Sequence, residues 1–150
     1  MPEIKFTIPG EPCGKAVKIA YNKDIGHSLT YNTPKSTNYM TAVRFYASNE
    51  LPEIWQPLNI PVEVEITAVI ARPRRLLDTF KRTGELKCGN PGRIKTTAKP
   101  DVDNITKAVF DGITKSGLWR DDKLVWHEDV RKYYAAIGEV PCTEIVIRWD

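Results

Sequence analysis

The sequence predicts an α+β fold, a single compact domain (1–150) with a mixed β-sheet and two main helices. Two observations predict it. Residues 3–9, 61–71 and 143–149 alternate apolar and polar side chains at the two-residue period of a half-buried strand. Residues 34–49 and 102–115 repeat apolar side chains at helical spacing instead. The order of these segments does not make a doubly wound βαβ array. With 150 residues, the chain has room for a genuine hydrophobic core.

Taken in order, EIKFTIP (3–9) puts Ile4, Phe6 and Ile8 on one face of a strand. Gly10, Pro12 and Gly14 make a turn, and Ala16–Tyr21 returns as a second strand, followed by a polar loop over 22–32. Thr33-Pro34 is a helix start, with Thr at the N-cap and Pro at the first helical position, where its missing N–H costs nothing. That helix runs to about Asn49 and buries Tyr39, Val43, Tyr46 and Ala47. Pro57–Pro61 breaks the chain. PVEVEITAVIA (61–71) then reads as a central strand, antiparallel to a neighbour, and is stopped by Pro73. Residues 74–98 carry Gly84, Gly89, Pro91 and Gly92 with weak periodicity, and read as a long basic loop. The second helix begins after Pro100, at Val102 or Asp103, and runs to Lys115. Its core face is Ile105, Ala108, Val109, Gly112 and Ile113, and Ser116-Gly117 ends it. A strand from about Lys123 and a last strand over 143–149 complete the sheet.

Composition narrows the function classes. No apolar run approaches the roughly 20 residues that span a bilayer. Glu3 and Pro9 interrupt the stretch where a signal peptide would need continuous apolar residues, so the reading is a soluble, intracellular protein. Cys13, Cys88 and Cys142 are far apart, and no CxxC or Cys/His cluster points to zinc or a disulfide framework. The net charge of +3 is modest, but its distribution is uneven. Between Arg72 and Lys99, nine basic residues face only Asp78 and Glu85, an excess of about +7. Such a segment either neutralises phosphates or is simply solvated, and charge alone leaves both readings open.

The chemistry concentrates in KPDVDNITKAVFDGITKSGLWRDD (99–122). Asp101 and Asp103 stand two apart at a helix entrance, while Asp121 and Asp122 follow the helix and its reversal. Carboxylates converging in this way repel one another unless a divalent cation joins them, and all-oxygen donors suit Mg²⁺. Lys107, four residues after Asp103, projects from the same helix face and offers a fixed positive charge for a phosphate. The plain alternatives are an exposed i,i+4 ion pair continued by Asp111, and an Asp103 that serves only as an N-cap. His27, His127, Ser28 and Ser36 lack catalytic partners in the sequence. Trp119 reads as packing beneath the RDD turn, and Trp126, Tyr133 and Tyr134 as sheet or dimer packing.

KPDVDN with Lys107, followed by WRDD, closely resembles the RusA family of Holliday junction resolvases. FTIPGEPCGK, with Gly10, Pro12 and Lys15, is similar to the family's opening motif. Thr33-Pro34 and the strand ending in ARPRR also fall where that family has similar elements. The resemblance implies a cytoplasmic, homodimeric, bacterial or phage-encoded (often prophage) enzyme with no organic cofactor. Such an enzyme binds four-way junction DNA and cuts two symmetric strands with Mg²⁺ in recombination and repair. It makes Asp101, Asp103 and Asp122 the metal ligands, Asp121 a weaker candidate, and Lys107 the catalytic lysine. Asn104 would support the helix entrance, and Lys15, Arg72, Arg74, Arg75 and Lys99 would contact the DNA backbone. Residues 22–32 and 74–98 depart from the compact family pattern by their length. Two other readings stay open at this point: a nucleic-acid binding module without catalysis, and a metal nuclease for another branched DNA or for RNA.

Overall fold

The computed structural model describes residues 1–150. The chain forms two compact units, each assembled from separated stretches: 1–12, 60–99 and 125–150 in one, and 13–59 and 100–124 in the other.

The first unit is a five-stranded mixed sheet. Its strands are β1 (Glu3–Pro9), β4 (Val62–Ile70), β5 (Ile94–Lys95), β6 (Val125–Tyr134) and β7 (Cys142–Trp149), in the order β1-β7-β4-β6-β5. β4 runs antiparallel to β7 and parallel to β6, so the expected antiparallel neighbour is joined by a parallel one. Register aligns the apolar alternation into rows on one buried face. Ile4 pairs with Ile147, and Ile147 with Val64; Phe6 pairs with Ile145, and Ile145 with Ile66. Each such side chain stabilises the fold by about 1.5–3 kcal/mol of apolar burial, and a one-residue slip would turn the whole set to water.

The second unit holds a two-stranded hairpin, β2 (Val17–Asn22) with β3 (His27–Asn32), and two helices, α1 (Pro34–Asn49) and α2 (Val102–Ser116). The expectation of a loop over 22–32 is corrected here, since residues 27–32 pair with 17–22 along their whole length. All of β3 except Asn32 is exposed, including Leu29 and Tyr31, which alternate with Ser28 and Thr30, so its strand state rests on pairing with β2 rather than on a buried face. Thr33 caps α1 as expected, its Oγ1 accepting from the Ser36 N–H at 3.3 Å, with Pro34 in the first turn. Tyr39, Val43 and Ala47 are buried together with Met40 and Ser36, whereas Tyr46 is only half-buried. α2 buries its predicted face, and Gly117 ends it in the left-handed conformation at φ 82°. The strand expected from Lys123 begins two residues later, because Asp122–Leu124 form a 3-10 turn in front of β6. No helix is long and apolar enough to cross a membrane.

Candidate functional site

The site grows from the entrance of α2. Asp101 occupies the N-cap position with extended backbone, but its carboxylate makes no capping hydrogen bond. Asp103, read from sequence as a possible N-cap, instead lies within the first turn. Its carboxylate is 3.7 Å from the Lys107 Nζ, and the two side chains are 69 % and 63 % exposed. An ion pair this long and wet holds neither group firmly, being worth a few tenths of a kcal/mol. One turn further along, Asp111 pairs with Lys15 Nζ at 2.6 Å. The Lys15 backbone N–H donates to the Asn104 carbonyl at 3.0 Å, which ties the segment before β2 to the first turn of α2. Gly14 makes that approach possible: a Cβ there would stand 2.9 Å from the Asn104 Cβ and 3.2 Å from the Pro100 Cβ.

Asp121 and Asp122 are delivered by a short, firmly held segment. Leu58 N–H donates to the Leu118 carbonyl, Arg120 N–H donates to the Leu58 carbonyl, and Trp55 Nε1 donates to Leu118 as well. Trp119 is buried beneath this turn as expected, with Nε1 donating to Thr114 Oγ1 at 2.7 Å and its ring edge-on to Phe110. Asp121 Oδ1 accepts from the Lys123 N–H at 2.9 Å, and this bond holds its carboxyl below the ordinary range. Asp122 is pushed the other way, first by burial and then by Asp121 and Asp111 beside it. The 3-10 turn that it opens packs against α2. Asp111 thus belongs to the electrostatic neighbourhood of Asp122, whereas its i,i+4 spacing from Lys107 had marked it only as part of a solvated stripe.

The sequence model of the family Endodeoxyribonuclease RusA matches residues 9–148. The chain belongs to the RusA endodeoxyribonuclease family. Over 145 residues it is 28 % identical to the "Uncharacterized protein YqaN" of Bacillus subtilis (strain 168), covering 97 % of this chain and 95 % of that protein. A stretch of 40 residues is 45 % identical to the "Crossover junction endodeoxyribonuclease RusA" of Escherichia coli O139:H28 (strain E24377A / ETEC), covering 27 % of this chain and 30 % of that protein. RusA-family membership supports a nuclease with DNA as its substrate class.

Against this family background, the predicted residues divide between the two units. Asp101, Asp103, Lys107, Asp121, Asp122 and Lys15 all belong to the unit formed by 13–59 and 100–124, while Arg72, Arg74, Arg75 and Lys99 belong to the sheet unit. Arg74 opens a 3-10 turn, and the Arg75 guanidinium lies 5.9 Å from the centre of the Tyr134 ring. Arg72 turns inward onto backbone carbonyls of its own loop. No three acidic, His or Cys side chains are grouped so that they could hold a metal ion between them. Magnesium does not require such a group, since it commonly takes one or two carboxylates, several waters and substrate phosphate oxygens. The residue chemistry is compatible with that ion: the carboxylates supply hard oxygens, Asp101 makes no capping bond, and Asp122 is raised by burial and then by Asp121 and Asp111.

Proposed function

We propose that this RusA-family chain is a Mg²⁺-dependent endonuclease that resolves Holliday junctions by paired, symmetric phosphodiester cleavage, acting as a homodimer in recombination and repair. The observation that carries this reading is the placement of Asp101 and Asp103 at the open end of α2, with Asp122 on a turn packed against the same helix. Asp101, Asp103 and Asp122 would hold the ion, with Asp121 as a weaker candidate. When bound, Mg²⁺ supplies positive charge to the phosphodiester and lowers the pKa of an attacking water. Lys107, loosely held by Asp103 and largely exposed, binds the scissile phosphate and stabilises the charge that develops on its oxygens. Lys15, paired with Asp111 and hydrogen-bonded through its backbone to Asn104, keeps the helix entrance in position. Two copies related by a two-fold axis suit two equivalent strands of a four-way junction.

An end-labelled synthetic four-way junction, incubated with wild-type protein or Asp103→Asn in Mg²⁺ or EDTA, tests the assignment. Wild type is expected to nick two opposed strands in Mg²⁺ only. Asp103→Asn is expected to bind the junction but cut at least about 100-fold more slowly, as for loss of a group that stabilises charge in the transition state. Undiminished Mg²⁺-dependent cutting by Asp103→Asn would sink the active-site assignment. Junction binding without cutting by wild type, over a range of junction sequences and metals, would replace the enzyme with a binding module.

A further inference from the structure

Arg72 stands just beyond the end of β4, and its side chain closes the basic excursion that follows. Its Nε donates to the Leu76 carbonyl at 2.9 Å, and Nη1 to the carbonyls of Gly92 at 2.9 Å and Ala135 at 3.4 Å. Nη2 reaches the Cys88 Sγ at 3.1 Å and the Asn90 carbonyl. A guanidinium has five N–H donors, and these five acceptors use them all. Arg72 therefore spends its five donors within the fold.

The excursion that it closes is itself folded. Thr79 bridges Leu86, Phe80 N–H donates to Glu85, Gly84 N–H to Phe80, and Lys87 N–H to Asp78. Asp78, one of the two acids in the segment, is paired with Lys87 at 3.1 Å. Arg93 is likewise engaged, by Glu139 and Glu144. The tip of this small hairpin carries Lys81 and Arg82, which are exposed and make no ion pair, and Arg74 and Arg75 stand at its base. The structure thus separates bases that serve the fold from bases presented to solvent.

We propose that residues 73–92 form a folded DNA-contacting arm, with Lys81, Arg82, Arg74 and Arg75 as its phosphate contacts and Arg72 as its positioning residue. The proposal rests on the DNA-nuclease reading for the identity of the polyanion. A preorganised arm meets phosphates without first ordering a long segment, whereas an unstapled one must order it on binding.

The test compares wild type, Arg72→Lys and Lys81→Ser/Arg82→Ser for binding to a four-way junction in EDTA over a range of salt concentrations, alongside tryptic cleavage of the free proteins within 74–87. Each phosphate contact contributes roughly 0.9 to the slope of log K against log[salt]. Lys81→Ser/Arg82→Ser is expected to lower that slope by about 2 while tryptic protection at Arg74, Arg75 and Lys87 is unchanged. Arg72→Lys keeps the charge but not the five-donor fork. It is expected to cut faster with trypsin, to bind at least about tenfold more weakly near 0.1 M salt, and to lose two or more units of slope. An Arg72→Lys slope equal to wild type overturns the arm, whichever way trypsin behaves, because charge alone would then suffice. An unchanged slope in Lys81→Ser/Arg82→Ser overturns the phosphate contacts. Failure of wild type to bind DNA at all would instead reject the nuclease reading, and trypsin would still report whether Arg72 staples the loop.

Discussion

Gly112 lies where α2 meets α1, and space rather than flexibility accounts for it. A Cβ at this position would stand 2.6 Å from the Val43 Cβ and 2.8 Å from the Met40 carbonyl oxygen. Neither is the free end of a side chain, so Gly112→Ala forces the helices apart despite alanine's better helix propensity. The expected cost is about 1–3 kcal/mol, or a few degrees of melting temperature per kcal/mol for a chain of this size. A thermal melt at or above the wild-type value would mean that the contact relaxes freely. The sequence placed Gly112 on the core face of α2 but could not disclose this contact, because the constraint comes from Val43 and Met40 on another helix.

At the scale of elements, the turn between β6 and β7 is held by Glu139. Its carboxylate accepts from Arg93 and from the Ala136 N–H, and Arg93 also reaches Glu144. Arg93 first, then the Ala136 N–H, keeps the Glu139 carboxyl below the ordinary carboxylate range. Because the folded pKa is depressed, this stabilisation is fully present above the unfolded pKa and is lost as pH falls through the folded one. Glu139→Gln is therefore expected to lose about 1–3 kcal/mol near neutral pH, with the difference from wild type shrinking in acid. Melting temperatures measured near pH 7 and near pH 3 check this; a deficit that stayed constant would assign the loss to packing. Elements with one buried face were legible from their period, as in Ile4, Phe6 and Ile8 of β1. β3 was not, since every residue but Asn32 is exposed and its strand state depends on pairing with β2.

At the scale of the whole molecule, the proposed symmetric cleavage requires two catalytic centres acting together. Sedimentation equilibrium is expected to give twice the 17.0 kDa chain mass at micromolar concentration. A monomer that makes paired nicks with first-order dependence on enzyme would remove the dimer from the proposal. The sequence by itself determined the α+β class, the Thr33 cap of α1, the Gly117 stop of α2, and the spacing of Asp101, Asp103, Lys107 and Asp122. These follow from local rules, in which period, capping chemistry and charge are readable over a few neighbouring residues. Only the tertiary structure decided that β4 has a parallel neighbour, that Asp111 contributes to raising the Asp122 carboxyl, and that Arg72 uses its five donors on carbonyls and a thiol of its own fold. Those outcomes join groups far apart in the chain, where the winning partner is set by register and packing rather than by spacing.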